Sequence, residues 1–522
     1  MLIPSFTPSL KNPCLLCTGA LLVFACTLGC DRSDSGELHT SVQSERHGLE
    51  PASIKRIEQF CGDCHTLPDP TTFPKSRWPE EVFQGFNFYL DSERTDLEEP
   101  DRQDTVKYFQ ASAPDKIVVP CADEMVAPTA PIQFTLSGKY TAMFVTPATA
   151  QVQWDTKSQS LFFTNMRTGE LRQWFVHGGH RKGGDGVGGA TNETKLIGIG
   201  RNLCRATPCD WNGDGVQDFL IGEMGKYAVA DHEDGRVSLL LGKTDGSTEH
   251  KVLVDKVSRV VEAKPFDYDG DGDMDVLAAD FGWRKTGALR LLRNVGGTAD
   301  SARMESVVLD PRHGALGIEI ADMDGDSKLD FLVGYGQEFE TLELHYNRGE
   351  GKFERKILLT LADPSYNASS FEIVDLDMDG RLDVVYTCGD TMDALLAKPY
   401  HGVGWVRNLG NDQWEHRWLG LLVGALDSTV ADLDGDGDLD VAAVGMFPNA
   451  REERLGTFDS ICWWEQKDGL NFVRHSVERD RCTYASCTTA DIDGDGRLDL
   501  IVGEWLIPES SAFRVYLSHP SR

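Results

Sequence analysis

Residues Asp432-Leu-Asp-Gly-Asp-Gly-Asp-Leu-Asp440 run directly into the apolar stretch Val441-Ala-Ala-Val444. Carboxylates at positions 1, 3, 5 and 9 of such a nonapeptide, with the main-chain carbonyl of position 7, can surround one hard cation with oxygen. Glycines at positions 4 and 6 allow the tight turns that bring those oxygens together. The opening residues mimic an EF-hand loop, but no Glu stands at position 12 and no helix pattern follows. The ninth Asp leads straight into a strand, so the expected setting is strand, calcium loop, strand.

Five further copies start at residues 210, 267, 322, 375 and 491, and successive copies lie 53 to 59 residues apart. The expected calcium ligands are Asp210, Asn212, Asp214, Val216 and Asp218 in the first loop, and Asp267, Asp269, Asp271, Asp273 and Asp275 in the second. In the third and fourth they are Asp322, Asp324, Asp326, Lys328 and Asp330, then Asp375, Asp377, Asp379, Arg381 and Asp383. Asp432, Asp434, Asp436, Asp438 and Asp440 serve the fifth loop, and Asp491, Asp493, Asp495, Arg497 and Asp499 the sixth. The residue at position 7 offers only its carbonyl, which is why Val, Lys and Arg are tolerated there. Asp- and Gly-rich turns are common in β proteins, but a plain turn does not require an acid or Asn at position 3 and an Asp at position 9 in every copy. About six bound Ca2+ are therefore expected, in a structural role that neutralises clustered carboxylates.

Each loop and its strand are followed by further strand-like runs, such as Val237 to Leu241 and Val252 to Val254 in the first repeat. Four short strands every fifty-odd residues make one propeller blade. A blade without a calcium loop fits residues 141–199, through Val152-Gln-Trp-Asp155 and Leu161-Phe-Phe-Thr164, which makes seven. Only 23 residues follow Asp499, room for two strands rather than three. Ile132-Gln-Phe-Thr-Leu136 alternates apolar and polar residues and is expected to supply the missing outer strand, closing the ring and removing an exposed edge. With six loops in step, residues 131–522 resemble the FG-GAP/VCBS repeat family, the calcium-bearing propellers also found in integrin α chains. That resemblance implies fold and calcium; it does not fix a function, since propellers host binding modules and enzymes alike.

The other end of the chain reads differently. An apolar run from Leu15 to Leu28 is preceded by Lys11 and followed by polar Asp31-Arg32-Ser33-Asp34, which is too short for a resident span and reads as an export signal. Cys30, after Thr27-Leu28-Gly29, resembles the lipidation box of bacterial lipoproteins, although the family usually has Leu where Thr27 stands; Cys26 is a poorer rival, and signal cleavage without lipidation is the alternative. Residues 1–30 are thus expected to be the signal, 31–49 a flexible tether, and the mature protein to sit in the periplasm or at the cell surface, lipid-anchored. No later stretch is apolar enough to cross a membrane.

Glu50 to His65 places Ile54, Ile57, Phe60, Cys61 and Cys64 on one helical face after Pro51. It ends in Cys61-Gly62-Asp63-Cys64-His65, a C-x-x-C-H pattern in which two thiols can add to the vinyl groups of one haem while the adjacent imidazole ligates the iron. A redox dithiol or half of a zinc site is the competing reading, weakened by the lack of a second C-x-x-C pair. Residues 50–116, with Pro68-Asp69-Pro70 and a closing helix from about Pro100 to Ser112, resemble a small class I cytochrome c. The resemblance implies a haem c and a distal Met, yet no Met occurs between His65 and Met125. Met125, in the linker 117–130, is one candidate for the sixth ligand; Tyr89, a His of the second domain, or an open position are the others. The expected fold is mainly β: a seven-bladed β-propeller preceded by a small all-α cytochrome c-like domain.

A net charge of -32 argues against a nucleic-acid backbone or an anionic membrane surface as the main partner. Thirteen Cys in 522 residues do not make a disulfide scaffold, and pairing of Cys204 with Cys209 or Cys482 with Cys487 stays open. Glu223, Asp280 and Glu504, each 13 residues past the start of its loop, are expected at similar heights on one face. With Trp283 and Trp505 they form either a ring for a sugar or cationic ligand, or solvated loop ends. His401, His177 and His180 stand alone, and no nucleophile elbow, phosphate loop or dinucleotide fingerprint occurs. Two functions fit: electron transfer in the cell envelope with a redox partner protein, or a surface module that recognises extracellular glycans or proteins. Neither reading involves nucleic acid, and membrane contact is through the lipid anchor only.

Overall fold

The computed structural model describes residues 48–63, 65–122, 125, 129–140, 146–176, 194–297, 302–362, 364–389, 391, 395–447, 457–467, 470–505 and 511–521. Cys30, Cys64, His177 and His180 lie outside them. The described chain forms two compact units, one comprising residues 48–63, 69–89 and 94–117 and the other 65–68, 90–93 and 118–521.

The first unit contains three α-helices, α1 (Pro51–Cys61), α2 (Trp78–Asp91) and α3 (Arg102–Ser112). Pro51 starts α1 where a missing N–H costs nothing, and Ile54, Ile57 and Phe60 are its buried face. Helix α2, which the sequence reading did not delimit, buries Trp78, Val82, Phe86 and Tyr89. Aromatic packing joins the helices: Trp78 stacks on Phe109 at 4.1 Å, and Phe60 meets Phe86 and Tyr89 at 4.8 and 4.9 Å. The Tyr108 hydroxyl donates to Glu58 Oε1 at 3.0 Å, tying α3 to α1.

The second unit is a seven-bladed β-propeller. Seven four-stranded antiparallel sheets follow one another, and their innermost strands neighbour in a closed circle. Those strands are Gln151–Asp155, Leu203–Cys209, Val260–Pro265, Ala315–Ala321, Ala368–Val374, Ala425–Ala431 and Tyr484–Ala490. The core lies between sheets: Leu220, Val237 and Leu239 of the second blade pack with Val260, Ala263 and Val276 of the third. The second strand of each blade, such as Asp330–Tyr335 or Asp440–Gly445, is buried along its whole length because both of its faces meet a neighbouring sheet. The first blade runs from Gln151 to Ile199.

The ring closes as the sequence pattern anticipates. The last sheet runs Ile132–Tyr140, Phe513–Pro520, Asp499–Glu504, Tyr484–Ala490, so a strand from before the first blade is the outer strand of the seventh. Ile132 pairs with Pro520 and Leu136 with Tyr516. Ile132 is buried at the seam.

Candidate metal centre

All six loops fold alike. Positions 4 and 6 adopt the left-handed conformation in every copy, with φ of 80° and 100° at Gly435 and Gly437. This region favours glycine, yet the third loop places Ser327 there at 68° and the fourth places Met378 at 54°. The first Asp of each loop accepts the N–H of position 6 at 2.8 to 3.2 Å. The fifth accepts the N–H of position 7 at 2.7 to 3.0 Å.

Carboxylates converge within this frame. In five loops three of them bring an oxygen within 4.8 Å of one another: Asp267, Asp269 and Asp271; Asp322, Asp324 and Asp330; Asp375, Asp377 and Asp383; Asp432, Asp434 and Asp440; Asp491, Asp493 and Asp499. In the first loop Asn212 replaces one acid, and its Nδ2 donates to Asp214 Oδ2 at 3.0 Å. Convergent hard oxygen donors on a turn that is already set by its own hydrogen bonds fit a calcium ion.

The ninth Asp has a second task that the spacing alone did not reveal. Asp218, Asp275, Asp330, Asp383, Asp440 and Asp499 are all buried. One oxygen of each accepts the N–H of the loop's second residue at 2.8 to 3.4 Å. The other accepts a backbone N–H from the end of the blade's third strand, at 2.7 to 2.9 Å, from Gly242, Asn294, Asn347, Asn408, Gln466 and Ser518. Loop start and strand end are thus clamped by one carboxylate. The sequence does carry a signal for it, the recurring Asn294, Asn347 and Asn408, each with a Gly two residues on; the Asn side chain caps that Gly's N–H. Burial, reinforced by the charges of loop neighbours, pushes Asp275, Asp383 and Asp499 up to about 6 and Asp440 up to about 7.

Basic side chains approach some loops. The position 7 residues Lys328, Arg381 and Arg497 pair with Asp326, Asp379 and Asp495. Arg348 reaches Asp324 at 2.6 Å and Arg407 reaches Asp377 at 2.5 Å.

The expected ring of acids on one face is not there. Glu223, Asp280 and Glu504 are fully buried and paired inside their own blades, with Arg236 at 2.7 Å, Arg290 at 2.9 Å and Arg514 at 2.7 Å. Burial opposes ionisation of Glu223, but hydrogen bonds from His250, Arg236 and Ser238 outweigh it and hold the carboxyl at about 2. These acids are internal fasteners rather than ligand groups or solvated loop ends. His401 is likewise a core residue: burial drives it down to about 3, and its Nδ1 accepts from the Gly424 N–H at 3.3 Å. Cys204, Cys209, Cys482 and Cys487 are free thiols.

In the helical segment Cys61 ends α1, and burial pushes its thiol up to about 12. Arg94 bridges Asp63 and Asp96, fixing the turn after Cys61. His65 Nδ1 donates to the Thr66 carbonyl at 2.7 Å, the tautomer that leaves Nε2 with its lone pair. Tyr89 is buried, and its hydroxyl accepts from the Leu97 N–H at 2.9 Å, an engagement that disfavours it as an iron ligand. Met125 donates its N–H to the Ala122 carbonyl at 3.3 Å, while the Ala122 N–H is held by Thr457 O at 2.8 Å. Among the described residues no helix is long and apolar enough to cross a membrane.

With this geometry in hand the chain can be placed among known proteins. Three overlapping segments, 210–278, 267–333 and 322–386, match the model of the FG-GAP-like repeat, and together they span the first four loops. The fold is therefore a seven-bladed propeller, in which residues 210–386 match FG-GAP-like repeats. No curated protein matches the chain in sequence. A crystal structure of BBS1N in complex with ARL6DN, soaked with mercury, is similar at 9% identity and a TM-score of 0.44, covering 74% of this chain and 96% of that one.

Proposed function

We propose that the protein is an exported, calcium-loaded propeller that serves as a recognition and docking platform in the cell envelope. The observation that carries this reading is the convergence of three carboxylates in each of five loops. Calcium would be held by positions 1, 3, 5 and 9 and the position 7 carbonyl, and it would supply the positive charge that lets those carboxylates coexist. The test is metal analysis and calorimetric titration of the chain after chelation, with thermal melts in calcium and in EDTA. Several calcium ions per chain and a large fall in melting temperature on chelation are expected; a chain that takes up no calcium and melts identically refutes the reading. Lipid attachment at Cys30 is tested by palmitate labelling of wild type and Cys30→Ser, with label expected only in the former.

A second reading, electron transfer, is favoured by one specific feature, the Cys61-Gly-Asp-Cys64-His65 motif with the Nδ1 of His65 committed to a carbonyl. Cys61 and Cys64 would hold a haem c through thioethers and His65 Nε2 would ligate its iron, with Met125 the candidate for the sixth position. Bound haem would supply one-electron chemistry, and the propeller would dock the redox partner. Expression with a c-type maturation system, followed by absorption spectra and haem staining of a denaturing gel, tests it. Covalent haem lost in Cys64→Ala supports it, and a colourless protein leaves the calcium propeller as a recognition module alone.

A further inference from the structure

We propose that Arg407 is a positioning residue for the ion of the fourth loop, holding Asp377 by one oxygen so that the other is turned to the metal. The inference rests on the calcium reading above. Asp377, at position 3, converges with Asp375 and Asp383. In the first, third, fifth and sixth loops the position 3 side chain is held from within, because its Oδ1 accepts the N–H of position 5 at 3.1 to 3.2 Å. In the fourth loop that N–H, of Asp379, goes to Asp375 Oδ1 at 2.9 Å. Asp377 is held from outside instead, by Arg407 Nε on its Oδ2 at 2.5 Å.

The second oxygen of Asp377 points to a ligand. The side chain is only 3% exposed, and its Oδ1 is buried with no hydrogen-bond partner. A buried anionic acceptor left alone is costly, and a cation shared with Asp375 and Asp383 is the partner this loop can offer it. Arg407 has little room to move. Its guanidinium also faces Asp379 at 3.7 Å and its cross-strand neighbour Glu415 at 4.0 Å, and its Cζ lies 5.8 Å from the centre of the Trp405 ring. A group that fixes one oxygen of a ligand and so aims the other does the work of the outer layer around a metal. The same place, one residue before the clamping N–H, holds Leu241 in the first loop's blade and Leu517 in the sixth's, so the device is no general property of the repeat. The pair of Arg348 with Asp324 differs too, since both side chains are more than a quarter exposed and Asp324 keeps its loop N–H.

Removing Arg407 takes a positive charge away from the ion, which favours binding, and frees Asp377, which opposes it; the two roles thus predict opposite signs. Calcium titration by calorimetry on the calcium-stripped full chain reads the difference. Arg407→Met is expected to weaken one site by about ten-fold or more and leave the others unchanged. A site that tightens shows the guanidinium to be the ion's competitor and overturns the proposal. So do unchanged affinities with a lower calcium-free melting temperature, the mark of a merely structural arginine. A wild type that takes up no calcium overturns the calcium reading itself. Should the variant fail to fold, a crystal structure of the calcium-loaded wild type decides. Asp377 Oδ1 within about 2.3 to 2.6 Å of an ion, with Arg407 still on Oδ2, is expected; an empty fourth loop beside filled ones, or Arg407 withdrawn from Asp377, refutes the assignment.

Discussion

Replacing Asp499 with Ala removes both acceptors of the clamp in the last blade. The N–H groups of Ile492 and Ser518, now bonded at 2.8 and 2.9 Å, would be left without partners around a side chain that is fully buried. A buried donor without a partner costs about 1 to 3 kcal/mol, so two cost about 2 to 6 kcal/mol. Loss of a buried charge offsets part of this, and the lower half of that range is expected. Asp493→Ala is the control. Asp493 belongs to the same carboxylate cluster, but it accepts only a loop N–H, from Asp495 at 3.2 Å, so its removal should cost about 0.5 kcal/mol or less apart from calcium. Urea unfolding followed by tryptophan fluorescence, in calcium and again in EDTA, separates the two roles of the ninth residue. In EDTA both variants lack metal, and a gap of about 2 kcal/mol or more between them reports the clamp alone. If the two variants are equally stable in EDTA, the ninth Asp is a metal ligand only and the clamp argument fails.

Calcium-free protein should lose stability as pH rises. Asp275, Asp383, Asp440 and Asp499 titrate at about 6 to 7 in the folded chain, above the ordinary carboxylate range. Their contribution is therefore full below about pH 4 and is lost as pH climbs through about 6 to 7. Melts in EDTA at pH 5 and pH 8 should show the fall, and saturating calcium should abolish it; a calcium-free protein that is more stable at pH 8 contradicts this. Met378, held at a φ of 54°, should gain about 0.5 to 1 kcal/mol on replacement by Gly, measured by the same unfolding assay. Ile132→Asp puts an unpaired charge at the buried seam between the first and last strands. It should cost about 3 kcal/mol or more and expose the Phe513–Pro520 edge to self-association, seen by light scattering. Arg514→Ala takes from the buried Glu504 one of its two arginines, leaving Arg481, and should cost about 1 to 3 kcal/mol, whereas a neutral result would return Glu504 to the list of ligand groups.

Much of the fold is legible in the chain because its signals are local. A nine-residue loop carries its own donors, its own turn residues and its own exit into a strand, so six copies announce themselves whatever surrounds them. Their spacing then counts the blades, and the alternating Ile132-Gln-Phe-Thr-Leu136 marks the strand that closes the ring, observed as Ile132–Tyr140. The helix ending at Cys61 is readable for the same reason, since Pro51 and the apolar face of Ile54, Ile57 and Phe60 lie within a few turns.

What the sequence left to tertiary structure concerns side chains whose partners come from other strands. Glu223, Asp280 and Glu504 look like a ligand ring when they are aligned by number, but antiparallel pairing brings arginines of the next strand to them, Arg236 directly opposite Glu223 and Arg290 and Arg514 on the diagonal from Asp280 and Glu504, and buries the pairs. The ninth Asp reads as one ligand among several until the third strand delivers an N–H to its free oxygen. Arg407 becomes part of its loop only because the sheet brings a residue from 30 positions away to the third-position carboxylate, Asp377. The loops and their period are thus properties of short segments, whereas which carboxylates are spent on folding and which remain for a metal is fixed by the pairing of strands.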